Sequence, residues 1–145
     1  MLKPSDCFED LVKVYNNMPQ LSQQINSNIA LFRDGIGCAW EDPANVGTWI
    51  IEIRLNRNGV KSDKDKEGNE RYQQVKDEEI NAIFFALIVM CLTQENKQVN
   101  GLYVKTKKEC IIMQLWVNNE FAADTFKKVQ DYLKNLGIEK GIAKY

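Results

Sequence analysis

Phe32-Arg33-Asp34-Gly35-Ile36, Cys38-Ala39-Trp40-Glu41-Asp42 and Gly47-Thr48-Trp49-Ile50-Ile51-Glu52-Ile53-Arg54 together form the stretch whose reading decides the fold. A tryptophan stands directly before a carboxylate, in a loop between two strand-like runs. Asn28 to Arg33 reads as a short strand ended by Asp34-Gly35, a turn pair whose glycine admits positive φ. Thr48 to Leu55 alternates with period two, which predicts a half-buried strand with Trp49, Ile51 and Ile53 on its core face. A planar π-face beside a bidentate acceptor is what recognition of a guanine base needs. Glu41 could accept from the two adjacent N–H donors on the Watson–Crick edge of guanine, a pattern adenine does not offer.

Upstream, Phe8, Leu11, Val12, Tyr15 and Met18 fall at helical spacing, with Asp6 as N-cap and Glu9 at the capping-box position, and Pro19 stops the helix. Downstream, Asn56 to Gln74 contains the mixed charge run Lys61 to Glu67 and has no apolar face to bury, so a mobile, solvated loop is expected over 56–74. Asp77-Glu78-Glu79 is an acidic start that complements a helix dipole. Ile80 to Leu92 continues it as a helix apolar around most of its circumference, buried on one side and open to a partner on the other. Gly101 to Lys105 and Ile111 to Val117 form an antiparallel hairpin with a basic tip, Thr106-Lys107-Lys108-Glu109-Cys110. Asn119 is placed to cap a last helix carrying Ala122, Phe126, Val129, Leu133 and Leu136, with Gly137 as its C′ residue. Gly141 to Tyr145 adds a short edge strand.

The 145 residues suit a single domain, 1–145, and 44% apolar with 27% charged residues is ordinary globular composition. A formal net charge of −1 argues against bulk binding to DNA, so any nucleic-acid contact must come from a local basic cluster. The chain has no histidine, which removes histidine-based triads and metal ligands. No nucleophile and base pair stands out, so the expectation is a protein that is not an enzyme, with no cofactor and no metal. Cys7, Cys38, Cys91 and Cys110 are scattered without a C-x-x-C pair, as reduced thiols would be. Met1-Leu2-Lys3-Pro4 opens no signal peptide, and Ile80 to Leu92 falls far short of the ~20 residues a membrane-spanning helix needs.

If the fold brings Trp40 and Trp116 together, with Glu41 beside the first and Lys105, Lys107 and Lys108 beyond the second, the set suits a positively charged purine carrying phosphates. An indole face attracts a cationic ring by about 0.5 to 2 kcal/mol, base stacking adds about 1 to 3 kcal/mol, and lysines supply charge-assisted contacts to phosphate oxygens. Singly, each residue has a blander reading: a core tryptophan, a solvated hairpin end.

Phe32-Arg33-Asp34-Gly35-Ile36 leading to Trp40-Glu41-Asp42, then Asn45, Gly47 and Trp49, resembles the central signature of the eukaryotic mRNA cap-binding translation initiation factor 4E family. Phe8-Glu9-Asp10-Leu11 with Val14-Tyr15-Asn16 is similar to the first family helix. Ala86 to Leu92 is similar to the second, and Tyr132-Leu133-Lys134-Asn135-Leu136-Gly137 to the end of the third. The resemblance implies an α+β fold, a curved antiparallel sheet with three helices packed on its convex face, here lacking the first two family strands and the second stacking tryptophan. It implies a cap site of Trp40, Glu41, Lys105, Lys107, Lys108 and Trp116, where Trp40 stacks, Glu41 reads guanine, Lys105 with Lys107 or Lys108 holds the triphosphate and Trp116 touches the N7-methyl group. It also implies a helical face that docks a 4G-type scaffold and 4E-binding repressors through Phe8, Val12, Leu87 and Met90, with Val12 where the family carries a tryptophan. The expected role is a cytoplasmic initiation factor, with room for a nuclear pool, that binds 7-methylguanosine-capped mRNA. The alternative is a protein-interaction module or decoy paralogue with weak or no cap binding.

Overall fold

The computed structural model describes residues 13, 15–32, 45, 47–57, 66–68, 72–93 and 99–145. Residues 13 and 15–17 are helical and are called α1. There follow β1 (Asn28–Phe32), β2 (Trp49–Arg57), β3 (Gln74–Val75), α2 (Asp77–Thr93), β4 (Val99–Thr106), β5 (Cys110–Val117), α3 (Ala122–Asn135) and β6 (Ile142–Lys144), with 3-10 turns at Leu21–Gln23 and Asn119–Phe121. The strands form one curved sheet of six, ordered β1-β4-β5-β2-β3, with β6 also paired to β2. All the pairings are antiparallel except the short parallel contact of β3 with the end of β2. Three helices back the sheet, as the resemblance implies.

Period-two patterning decides which face the helices cover. Ile51, Ile53 and Leu55 of β2 pair with Leu115, Met113 and Ile111 of β5, while Leu102 and Val104 of β4 face the same way. All are at most 1% exposed, and they meet Ile80, Ile83, Phe84 and Leu87 from α2 and Val129 and Leu133 from α3. Each such side chain removed from water contributes about 1.5 to 3 kcal/mol. A one-residue slip of β2 would send its whole apolar set to the other face, so the register is strongly specified. Tyr15 of α1 packs on Phe84 and Phe85 of α2, with ring centroids 6.0 and 5.6 Å apart.

Several boundaries differ from the sequence reading. Asn56, Arg57 and Gln74, expected in the charged loop over 56–74, are strand residues, and β3 was not expected at all. The arginine explains part of this: Arg57 donates from Nε to the Lys107 carbonyl at 2.8 Å, from Nη1 to Ser22 at 2.6 Å, and from Nη2 to Gln24. One guanidinium thus ties the end of β2 to the first 3-10 turn and to the β4–β5 hairpin. Asn119 does not cap α3: Phe121 holds the N-cap position without a side-chain bond, and the Asn119 Oδ1 accepts from Trp49 Nε1 at 2.5 Å. Trp49 shares the helical face as expected, but it sits at the margin and is 36% exposed.

The end of α3 follows the sequence reading closely. Gly137 has φ +80°, its N–H donates to Lys134 at 2.9 Å, and the Ile138 N–H donates to Leu133 at 2.8 Å. These are the two bonds of a Schellman cap, closed by the buried Ile138. At Gly141, φ is +89° and an added Cβ would collide with the Arg54 carbonyl, so glycine lets β6 approach β2.

Candidate nucleotide-binding face

The face of the sheet away from the helices carries three cross-strand rows, because directly paired residues share a face. The first row is Ile50, Trp116, Gly101 and Phe32; the second is Glu52, Gln114, Tyr103 and Ala30; the third is Arg54, Ile112, Lys105 and Asn28. Chemistry changes along the strands from aromatic, through polar, to cationic. Four residues of strand, roughly 14 Å, separate the first row from the third.

Phe32 and Trp116 meet edge to face, with centroids 5.3 Å apart and planes at 79°. A Cβ at Gly101 would run into the Phe32 ring, so only glycine lets that ring lie on the backbone of β4. Trp116 is 5% exposed. In the second row, Glu52 accepts from Gln114 Nε2 at 2.9 Å and from the Tyr145 hydroxyl at 3.1 Å, which occupies both carboxylate oxygens. The Glu52 charge raises the Tyr145 pKa above the usual tyrosine value, with burial and the hydrogen bond acting in the same direction. In the third row, the Arg54 guanidinium lies 4.7 Å from the Tyr72 ring centre, and Lys105 Nζ lies 5.5 Å from that of Tyr103. Lys107 and Lys108 are exposed at the hairpin tip, where the Lys107 N–H donates to the Cys110 carbonyl at 2.8 Å.

Of the expected cap residues, Trp116 and Lys105 share this face, and Lys107 and Lys108 extend its cationic end. Trp40 and Glu41 lie outside the described residues, as do Phe8 and Val12. Asn45, which follows the Trp40-Glu41 loop, is fully buried: its Oδ1 accepts from Asn100 Nδ2 at 3.0 Å and its carbonyl accepts from Thr48 Oγ1 at 2.8 Å. The Asn100 bond fastens the loop's far end to β4, and the Thr48 bond closes the turn that leads into β2. Sequence reasoning missed Phe32, Glu52, Arg54, Tyr103 and Tyr145 as occupants of the open face. The signal was available for β2, since the alternation that buries Ile51 and Ile53 must turn Glu52 and Arg54 outward.

The helical face differs from expectation at one residue. Leu87, expected among the partner-docking residues, is 2% exposed and belongs to the core cluster. At 3.6 residues per turn it lies about 200° around α2 from Phe85. The exposed apolar positions are Phe85 (52%), Val89 (36%) and Leu92 (39%), which recur at helical spacing. Leu87, Met90 and Val89 itself line an apolar groove of about 320 Å³ between α2 and α3. Cys91, on the same helix, is half-buried, and burial of its thiol pushes the pKa up to about 12, which favours the protonated form at neutral pH.

Fold and faces together define a class, an α+β domain whose curved sheet is backed by helices on one side. The chain belongs to the eukaryotic initiation factor 4E family, whose sequence model matches residues 4–145. Among solved structures it is similar to C. elegans eIF4E-3 in complex with the 4E-binding protein Mextli: 18% identity, TM-score 0.64, covering 93% of this chain and 71% of that one. The same protein with Mextli and a cap analog gives 19%, 0.56, 88% and 65%. Ascaris suum eIF4E-3 with an m2,2,7G cap gives 19%, 0.62, 92% and 68%. At these identities the likeness is one of fold. No curated protein sequence matches the chain.

Proposed function

We propose that this chain is a translation initiation factor that binds the 7-methylguanosine cap of mRNA on the open sheet face and docks a scaffold or repressor protein on the helical face, without catalysis. The observation that carries the reading is the ordering of the open face: an aromatic pair at one end, and Lys105 with the Lys107-Lys108 tip at the other. A methylated, cationic base needs the first, and a triphosphate needs the second. Trp40 stacks on the base and Glu41 reads its Watson–Crick edge in this reading. Family membership supports it, and so do relatives of the same fold solved with a cap analog and with a 4E-binding protein.

Tryptophan fluorescence titration with 7-methyl-GTP and with GTP tests it. Quenching selective for the methylated nucleotide, weakened about ten- to hundredfold by Glu41→Ala, is the expected result, since a bidentate base contact is worth about 1 to 3 kcal/mol. A chain that responds to neither nucleotide, yet captures a 4E-binding peptide through Phe85, Val89 and Leu92, would instead be an interaction module. That second reading is favoured by the exposed stripe on α2.

A further inference from the structure

We propose that Arg54 is a phosphate-binding residue of the open face, in addition to the lysines of the β4–β5 hairpin. The inference rests on the cap-binding reading and deepens it. Two arginines lie close together on β2 and are used differently. Arg57 has all its donor nitrogens engaged by the carbonyls of Ser22, Gln24 and Lys107 and serves as a clamp. Arg54 is partly buried, its Nε is buried, and that Nε has no hydrogen-bond partner among the described residues.

Its neighbourhood holds it ready for an anion. The Tyr72 ring lies 4.7 Å from the guanidinium carbon and backs the cation. The nearest carboxylate along the strand, Glu52, is already engaged by Gln114 and Tyr145. A cation partly removed from water is costly without a counter-charge, and a bound phosphate would supply one. Position adds a second argument. Ile112 separates Arg54 from Lys105, so the two cations stand on either side of one short apolar residue in the third row. A base held at Trp116 sends its phosphates along the strands toward that row.

The test uses the full chain titrated with 7-methyl-GTP, 7-methyl-GMP and 7-methylguanosine over a range of salt concentrations. Arg54→Gln is expected to weaken 7-methyl-GTP about tenfold, to leave 7-methylguanosine unchanged, and to flatten the slope of log affinity for 7-methyl-GTP against log salt. Arg54→Lys should restore most of the slope, which a purely structural role would not do. Equal weakening of all three ligands, or an unchanged slope in Arg54→Gln, would overturn the inference while leaving cap binding intact. Should the wild type bind none of the three, the cap reading fails by itself. Inorganic tripolyphosphate followed by phosphorus NMR then decides: line broadening lost in Arg54→Gln sustains the anion site, and no broadening overturns it.

Discussion

The two faces of this sheet are built from the same strands by alternate residues, yet one is uniformly apolar and the other changes in chemistry along the strands. On β2, Ile51, Ile53 and Leu55 go to the helices, while Ile50, Glu52 and Arg54 go to the open side. On β5, Met113 and Leu115 are core, while Ile112, Gln114 and Trp116 face outward. The helical face is uniform because any apolar side chain of suitable volume satisfies it. The other face is not uniform: its aromatic end is packed, with Trp116 5% exposed against Phe32, while its cationic end carries Arg54 and Lys105. The difference teaches which substitutions should threaten the fold and which should change only what the fold binds.

The largest effect should come from the core. Ile53→Ala removes a side chain 1% exposed at the floor of the α2–α3 groove, and a loss of about 2 to 5 kcal/mol is expected in urea unfolding. Both faces should fail together, because α2 and α3 would lose their seat. Arg57→Gln should come next, at about 1.5 to 3 kcal/mol, since it leaves carbonyls of Ser22, Gln24 and Lys107 without their charged donor. Hydrogen exchange should then rise at the β4–β5 hairpin and the first 3-10 turn, and not in α3.

Smaller effects separate the faces. Phe85→Ser should cost at most about 1.5 kcal/mol, the scale of its ring contact with Tyr15. Yet calorimetry should find the affinity for a 4E-binding peptide reduced at least tenfold, with nucleotide affinity unaltered. A pH effect is the smallest. Glu52 holds the exposed Tyr145 hydroxyl protonated above the usual tyrosine value. The folded state therefore keeps its proton where the unfolded chain gives it up, so this contribution is present at neutral pH and is lost as pH rises through the tyrosine range. Ultraviolet titration should show one late tyrosinate in the wild type, returned toward ordinary behaviour in Glu52→Gln.

How much of this was legible beforehand follows from the same alternation. Strands β1, β2, β4 and β5, the helix starting at Asp77 and the cap at Gly137 announce themselves by period, acidic start and glycine. These are local signals, and the local physics agrees with the tertiary result. Strand β3 and the Arg57 clamp did not announce themselves, because both depend on carbonyls of residues distant in sequence. Asn119 was misread for a related reason: its side chain had a helix end nearby, but the Trp49 indole competed for it and won. On the open face, Trp116 and Lys105 were singled out by residue type and by the family signature. Arg54 and Phe32 were passed over because attention to the core face of each strand hid its opposite.

One measurement bears most directly on the claim that the open face binds nucleotide. In a 15N-resolved NMR titration with 7-methyl-GTP, the Trp116 indole and the amides of Gly101, Tyr103 and Lys105 should shift together, while Phe85, Val89 and Leu92 stay in place. Shifts confined to α2 and α3, or none on β4 and β5, would contradict the account.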